Sequence, residues 1–226
     1  MGYGIKLKVW GDYACFSRPE LKVERVSYDF MTPTAARGVL DAIYWKPAIT
    51  WVVDKIHVLR PIKFTNIRRN EIADVAKLGA IKKAMEQSAS YDISSNDNRH
   101  QRAALLLKEV EYVIEAHFEI NRGKAGESDS PEKHYNIALR RMRRGQFFHK
   151  PCLGTREFAA SFFLIEEGEA IPTSSLVGEQ DFGYMLYSLN YQLDDKGEKT
   201  TVTPTFFRAK TINGVCDLTK IEEVVS

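Results

Sequence analysis

Apolar and polar residues alternate in two segments of this 226-residue chain. Near the N-terminus Ile5, Leu7 and Val9 alternate with lysines, and from Val110 to Ile120 every second residue is apolar, with mostly glutamates between. Alternation with a period of two is typical of β-strands that bury one face. The sequence therefore predicts two strands, each with one face against a core.

Two other segments carry the start signals of α-helices. Thr32 and Ser130 are suitable N-cap residues, and each is followed by a proline, which the first helical position tolerates. Pro47 limits the first helix, so Tyr44 is expected at its C-terminal end. The second helix has apolar residues at i, i+3, i+4 and i+7 from Tyr135, which predicts one buried stripe.

The predicted elements over residues 1–167 follow the order strand, helix, strand, insertion, strand, helix, strand. This order is typical of a ferredoxin-like (RRM-like) α+β domain, in which two helices cover one face of a four-stranded sheet. The insertion spans about residues 65–104; it has one helical segment, and its polar end, residues 94–102, is expected to be a loop. Residues 168–226 are expected to form a small acidic antiparallel β domain.

The net charge of +2 hides an asymmetry between the two parts of the chain. Residues 163–226 hold 11 acidic side chains against 5 basic ones, whereas residues 122–150 hold 8 basic against 3 acidic. A positive region of this kind favours phosphate-bearing partners, and nucleic acid is the first candidate. A solvated helix face without a partner is the alternative.

The sequence disfavours membrane, secreted, disulfide-bonded and metal-binding proteins. No run of about 18 apolar residues is present, and the N-terminus lacks the features of a signal peptide, so a cytoplasmic protein without membrane contact is expected. The three cysteines are scattered, and neither a CxxC nor an HExxH spacing occurs. We therefore expect no disulfide framework, no metal site and no cofactor.

The stretch SDSPEKHYNIALRRMRRGQ joins a helix N-terminus to a concentration of positive charge. A helix N-terminus presents unpaired N–H groups and binds phosphate, and Lys133 and His134 lie in its first turn. An imidazole at this position can exchange protons near neutral pH, and the ammonium can stabilise a pentacoordinate phosphorane. An exposed helix start without chemistry is the alternative. Four arginines extend the positive surface along the helix: Arg140, Arg141, Arg143 and Arg144.

Cleavage of RNA requires few protein groups because the 2′-OH is itself the nucleophile. One group takes the hydroxyl proton, another protonates the leaving 5′ oxygen, and a cation stabilises the phosphorane, so that no metal is needed. The aromatic pattern with which RRM sheets stack bases is missing, and glutamates line the polar face of the strand from Val110 to Ile120. RNA is therefore expected away from the sheet face.

Five motifs resemble those of one known family. GDYACF follows the first strand, AIYWKP ends the first helix, AHFEIN lies in the strand of glutamates, KHYNI lies in the basic helix, and LGTREFAA precedes the last strand. In this order, from Gly11 to about Ala160, they resemble the CRISPR-associated RAMP proteins of subtype I-C, the Dvulg branch of the fifth Cas family. The acidic C-terminal third matches the family only in character.

The resemblance implies a metal-independent endoribonuclease of the prokaryotic cytoplasm. Such a protein binds the CRISPR repeat hairpin and cuts precursor CRISPR RNA at the 3′ base of the hairpin, leaving a 2′,3′-cyclic phosphate and a 5′-OH. It then stays on the 5′ handle as a subunit of the type I-C interference complex. The catalytic triad of the family carries over to Tyr44, Lys133 and His134. Whether Tyr44 or His134 is the base stays open.

Three further arginines are assigned to RNA binding. Arg68 and Arg69 belong to the insertion, the expected additional RNA-binding surface, and Arg156 belongs to LGTREF. Two roles are open for Arg156: it anchors phosphate, or it pairs with Glu157 or with the acidic C-terminal unit.

Two rival functions also stay open. One is a subunit that holds the handle without cutting, and the other is a general nucleic-acid binder whose phosphate contacts extend to duplex DNA.

Overall fold

The computed structural model describes residues 3–21, 23–94, 96, 98–193, 199–221 and 223–226. Within these ranges the chain forms three α-helices and ten β-strands. In chain order they are β1 (Ile5–Ala14), β2 (Arg25–Val26), α1 (Pro33–Ile43), β3 (Ile49–Val58), β4 (Phe64–Ile72), α2 (Leu78–Glu86), β5 (Arg99–Ile120), α3 (Pro131–Arg143), β6 (Ser161–Ile165), β7 (Glu179–Leu193), β8 (Lys199–Ile212), β9 (Val215–Asp217) and β10 (Val224–Val225). A 3₁₀ turn, Leu218–Lys220, follows β9.

The strands form one ten-stranded sheet that is almost entirely antiparallel. The order along the sheet is β10-β8-β9-β3-β5-β1-β6, while β2 and β4 pair with β5 and β7 pairs with β8. The short contact between β2 and β5 is parallel. The α+β class predicted from the sequence is therefore confirmed.

The alternation in β1 and β5 predicts correctly which side chains face the core. Leu7 lies opposite Ile114 in the ladder, and both are fully buried. Leu40 of α1 and Ala138 of α3 pack in the same apolar cluster as these strand residues. The two helices therefore cover one face of the sheet, here called the helix face.

The opposite face of the sheet, here called the back face, carries ion pairs in place of helices. Glu111 of β5 accepts from Lys8 at 2.5 Å and from Arg60 at 2.7 Å. A small apolar contact joins Val113 to Ile165 and to Ile171, which lies in the segment between β6 and β7. The glutamates of β5 are thus largely engaged with cations of the protein itself.

The insertion differs from its prediction. The helical segment is shorter than its sequence spacing indicates, because residues 64–72 form β4 and only Leu78–Glu86 is helical. The predicted loop at residues 94–102 is wrong for its last four residues, since β5 begins at Arg99. β4 pairs with the first half of β5 along its whole length. The residues of β4 lack the alternating pattern of a strand. Their backbone is extended because it pairs with β5, which is distant in sequence.

The C-terminal strands β7 and β8 pair with each other in antiparallel orientation. They join the rest of the sheet where β9 pairs with β3, opposite Lys55–His57. The boundary between residues 167 and 168 stays a prediction. None of the helices in the described part of the chain is long and apolar enough to cross a membrane.

Candidate active site

The C-terminal end of α1 fixes Tyr44. Thr32 caps the start of the helix by accepting from the Ala35 N–H at 3.2 Å, as predicted. At the other end Tyr44 leaves helical geometry, and its N–H donates to the Leu40 carbonyl. The Trp51 indole N–H then donates to the Tyr44 carbonyl at 2.8 Å. Backbone and ring of Tyr44 are thus anchored in the core, with 1% of the residue exposed.

The N-terminal turn of α3 presents the other two members of the predicted triad. Ser130 caps the helix by accepting from the Lys133 N–H, and Pro131 occupies the first helical position. The buried stripe of α3 includes His134, Ala138 and Met142. The sequence pattern did not include His134 in this stripe, because the helical spacing was counted over apolar residues alone.

The structure brings Tyr44 and His134 into direct contact although 90 residues separate them. The Tyr44 Oη lies 2.7 Å from the His134 Nδ1. The imidazole also contacts the Phe118 ring edge to face, and 1% of His134 is exposed. Tyr44 and His134, two members of the triad that the resemblance implies, therefore form a buried tyrosine–histidine pair.

Asp129 is a neighbour of this pair that the sequence analysis missed. Its Oδ1 lies 3.2 Å from the His134 Nε2 and 3.6 Å from the Lys133 Nζ. The contact with Nε2 lacks hydrogen-bond alignment, so that this buried nitrogen has no hydrogen-bond partner within the described ranges. The Gly126 N–H donates to Asp129 and is the main cause that lowers the pKa of this carboxyl. Asp129 is therefore an anion beside both Lys133 and His134.

Lys133 is held by the same loop. Its Nζ donates to the Ser128 carbonyl at 3.0 Å and lies 3.3 Å from the Ser128 Oγ. The side chain is 45% exposed, in contrast with that of His134. An ammonium in this position is available to an incoming anion.

The protonation states follow from burial. Burial is the main cause that lowers the pKa of His134 below its usual value of 6.5, and the Asp129 carboxylate opposes this shift. Burial also raises the pKa of Tyr44. At neutral pH the tyrosine is therefore a phenol and the histidine is uncharged. We assign the ring proton to Nε2, since Tyr44 then donates to Nδ1 and the N–H faces the Asp129 carboxylate.

The four arginines of α3 have different surroundings. The Arg141 guanidinium donates to the Ile43 carbonyl at 2.8 Å and lies over the Tyr44 ring, 5.2 Å from its centroid. Arg143 forms two hydrogen bonds with the Glu166 carboxylate. Arg140 and Arg144 are exposed and have no ion-pair partner among the described residues. They lie about two and three helical turns beyond Lys133 on the same side of the helix.

The arginines of the insertion lie far from the tyrosine–histidine pair. Arg68 is opposite Ala103 in the β4–β5 ladder, whereas Phe118 of the same strand β5 contacts His134. At about 3.3 Å per residue, the intervening strand spans about 50 Å. The structure therefore does not place these arginines and the pair in one site.

Arg69 and Arg156 are both exposed, but their partners differ. Glu157 forms its ion pair with Arg69, which also lies over the Phe158 ring. Pairing of Arg156 with Glu157, one of its two open roles, is thus not what the structure contains. The role of Arg156 as a phosphate anchor stays a prediction.

The motifs GDYACF and LGTREF owe part of their composition to packing. Gly154 has a φ of +88°, and a Cβ on it would lie 1.8 Å from the Cys15 carbonyl oxygen. Only glycine permits this approach, through which the two motifs form an isolated parallel bridge. Their role is therefore to join the end of β1 to the loop that follows α3.

The fold and the site together define an α+β protein with one buried tyrosine–histidine pair at the start of a basic helix. The family model Cas_Cas5d, described as CRISPR-associated protein (Cas_Cas5), matches residues 4–219. This chain belongs to that family, and the resemblance inferred from the five motifs is confirmed.

Two curated relatives carry one name, CRISPR pre-crRNA endoribonuclease Cas5d. The protein from Mannheimia succiniciproducens is 47% identical over 223 residues, which cover 96% of each chain. The protein from Thermus thermophilus is 42% identical over 193 residues, which cover 85% of this chain and 76% of the relative.

Solved structures share the fold. A functionally uncharacterized protein from Streptococcus mutans is 24% identical, with a TM-score of 0.67 and coverage of 99% of this chain and 97% of that one. A structure described as a CRISPR-associated protein is 25% identical, with a TM-score of 0.67 and coverage of 99% and 96%. The similarity in fold covers almost the whole chain, including the insertion and the C-terminal strands.

Proposed function

We propose that this protein is a metal-independent endoribonuclease that binds the CRISPR repeat hairpin and cuts precursor CRISPR RNA at the 3′ base of the hairpin. It then remains on the 5′ handle as a subunit of the type I-C interference complex. The observation that carries the proposal is the 2.7 Å contact between the Tyr44 Oη and the His134 Nδ1, next to Lys133. The shared name of the two relatives supports the substrate.

The proposed framework is a ferredoxin-like domain. The antiparallel order β6-β1-β5-β3, with α1 and α3 packed in one core with these strands, supports this assignment. β4, α2 and the first half of β5 are the insertion, and residues 168–226 are a second, smaller unit on the edge of the sheet.

The proposed reaction is an intramolecular transesterification. The 2′ oxygen attacks the adjacent phosphorus, the bond from phosphorus to the 5′ oxygen breaks, and a 2′,3′-cyclic phosphate forms. The 2′-OH proton goes to a base on the protein, while the 5′ oxygen receives a proton from an acid and leaves as a 5′-OH. The phosphorane between these steps carries extra negative charge, which Lys133 stabilises.

His134 is the proposed base, and Tyr44 orients it. Nδ1 is hydrogen-bonded to the Tyr44 hydroxyl. Nε2 is therefore the nitrogen that exchanges a proton with RNA. A tyrosine hydroxyl can accept as well as donate. Once the Asp129 carboxylate moves away, the ring proton can sit on Nδ1 and donate to Tyr44, which leaves the Nε2 lone pair free. Burial favours the neutral form of the imidazole, which a base needs.

The scissile phosphate takes the place of the Asp129 carboxylate in this proposal. Both are anions, and Oδ1 lies near the Lys133 ammonium and the His134 Nε2 at a helix N-terminus. Since His134 is 1% exposed, the loop that carries Asp129 must shift for RNA to reach Nε2. The proposed RNA path continues along the exposed side of α3 over Arg140 and Arg144, and this surface is also the proposed contact for duplex DNA.

The experiment that tests the function uses the labelled repeat hairpin of the same genome in excess EDTA. Wild type is expected to give one product with a cyclic-phosphate end, and His134→Ala is expected to give none. Cutting that appears only after a divalent cation is added would contradict metal independence. Tight binding without any cut would leave the rival function of a handle-binding subunit.

A further inference from the structure

Two large aromatic side chains are exposed near the C-terminal end of α1, the helix end that also positions Tyr44. Trp45 directly follows Tyr44 in the chain and is 55% exposed, and Phe148 is 71% exposed. Single exposed apolar residues are common on protein surfaces, so exposure alone carries little. Two further features distinguish these rings from other exposed side chains: backbone hydrogen bonds hold them at one helix end, and cations lie near them.

The end of α1 holds both aromatic residues in one place. The last carbonyls of a helix lack intrahelical partners. Here the Ala42 carbonyl accepts from the N–H groups of Phe148 at 2.9 Å and His149 at 3.0 Å. Trp45 lies three residues after Ala42, so the backbones of both aromatic residues meet at this helix end. The His149 ring packs against Phe148 with centroids 4.4 Å apart.

The surroundings of the two rings are positive. Lys46, Arg141 and Lys150 lie in the segments that carry the rings, and the nearest acid in sequence, Asp41, already pairs with Arg37. Lys46 is close enough to His134 to contribute to the lowering of its pKa. An exposed aromatic pair in a purely apolar setting suits a protein partner, whereas aromatic rings among unopposed cations suit single-stranded nucleic acid.

We propose that Trp45 and Phe148 form a stacking site for unpaired nucleobases that adjoin the cut bond. This inference rests on the proposed function for its ligand, RNA, and adds where the single-stranded part of that RNA lies. Bases inside a helical stem expose only their edges, so a stacking site accepts unpaired bases alone. The position of the site beside Tyr44 and His134 therefore directs the reacting phosphate to the junction between stem and single strand.

The test uses repeat hairpins that cannot be cut. A 2′-deoxy nucleotide replaces the one that supplies the nucleophile, and 2-aminopurine stands at the first unpaired position, on the 5′ side of the stem in one RNA and on the 3′ side in another. Stacking on an aromatic ring is expected to quench the fluorescence of 2-aminopurine when wild type binds one of the two RNAs. Trp45→Ala and Phe148→Ala are each expected to lose the quenching and to weaken binding by about 5- to 150-fold.

The controls separate stacking from structural damage. Trp45→Phe and Phe148→Tyr keep an aromatic ring and are expected to keep most of the quenching. Phe163→Ala removes a ring that is 57% exposed on the back face and is expected to bind like wild type. Melting temperatures near that of wild type show that the variants are folded.

A trimmed hairpin that lacks the unpaired nucleotides flanking the base of the stem, and keeps the stem and its loop, completes the design. Wild type and both alanine variants are expected to bind it equally well. Equal quenching of the full hairpins by wild type and the alanine variants, or equal losses on the full and trimmed hairpins, overturns the stacking site. Because no probe is cut, the result is independent of cleavage. If wild type quenches these probes but never cuts a cleavable hairpin, the stacking site is supported and the proposed nuclease activity is contradicted.

Discussion

Histidines on the two faces of the sheet have different hydrogen-bond partners and different burial. On the helix face, His134 lies among apolar side chains and bonds to the phenol of Tyr44. On the back face, His57 Nε2 lies 2.6 Å from Glu115, and His117 Nδ1 lies 2.9 Å from Asp54. The back-face histidines thus contact carboxylates at partly exposed positions, whereas burial lowers the pKa of His134 and favours its neutral form.

The surroundings of an imidazole ring therefore determine its chemistry more than the presence of a histidine in the sequence does. Phe118 and His117 are neighbours in β5 and point to opposite faces, so one residue of register separates the two environments. We interpret the back-face contacts as hydrogen bonds that join β3 to β5. In the proposed mechanism, the helix-face histidine is the one that exchanges protons with RNA.

The largest predicted difference separates His134→Ala from His57→Ala. Loss of the base is expected to reduce cleavage of the repeat hairpin by at least about 10²-fold, while hairpin affinity stays near that of wild type. His57→Ala, the matched control from the back face, is expected to cut within about 3-fold of wild type, since it removes a structural hydrogen bond worth about 1 kcal/mol that is remote from the Tyr44–His134 pair. Single-turnover cleavage and filter binding measure the two quantities.

An equal loss of binding and cleavage in His134→Ala would make this residue part of a docking surface. A loss of cleavage in His57→Ala as large as in His134→Ala, with the fold intact, would break the distinction between the faces.

Tyr44→Phe is expected to reduce cleavage by about 10-fold. The ring still fills the core, but the hydrogen bond to Nδ1, worth about 1 to 1.5 kcal/mol, is lost, and the imidazole is oriented less well. The measurement is single-turnover cleavage at saturating enzyme. A loss as large as that of His134→Ala would instead make Tyr44 the base or the acid itself, the alternative that the sequence left open.

The pH dependence gives the next test of the helix face. Because burial lowers the pKa of His134 below 6.5, the pH at which a neutral base has lost half of its rate is expected to lie below 6.5. The Asp129 carboxylate raises this pKa. Asp129→Asn is therefore expected to shift the acid limb of the kcat/KM profile, which reports the free enzyme before phosphate displaces Asp129, to still lower pH.

Cleavage in EDTA at pH values from about 5 to 8 measures this shift. Glu115→Gln is the back-face control, since it neutralises the partner of His57 and should leave the profile in place. An acid limb that moves to higher pH in Asp129→Asn would contradict the assigned contact between Asp129 and His134.

The smallest predicted effects distinguish the arginines of α3. Arg140→Ala and Arg144→Ala are each expected to weaken hairpin binding and to reduce its salt dependence by about one unit per lost phosphate contact. Arg143→Ala is expected to change the salt dependence less, since Arg143 already pairs with Glu166. Affinities measured over a range of salt concentrations test this order, and an equal change in all three variants would show that the Glu166 pair opens on RNA.

Local features of the chain were predictable because they depend on neighbours in sequence. The caps Thr32 and Ser130 and the position of Tyr44 at the end of α1 follow from turn and helix preferences. The strand β4 was missed because its polar residues are extended only through their pairing with β5. Asp129 was missed because it lies in a polar loop, where nothing in the local pattern distinguishes it from Glu127.

The sequence by itself determined the alternating strands, the two capped helices, the charge asymmetry and the motifs of the family. These features depend on the types of residues and on the spacing between residues that are close in sequence, so they can be found without the structure. Only the tertiary structure decided that Tyr44 reaches Nδ1 of His134, that this histidine is buried and neutral, and that Asp129 faces its other nitrogen. The physical reason is that a pKa and a hydrogen bond depend on what the folded chain places within a few ångströms, and the Tyr44–His134 contact joins residues 90 positions apart.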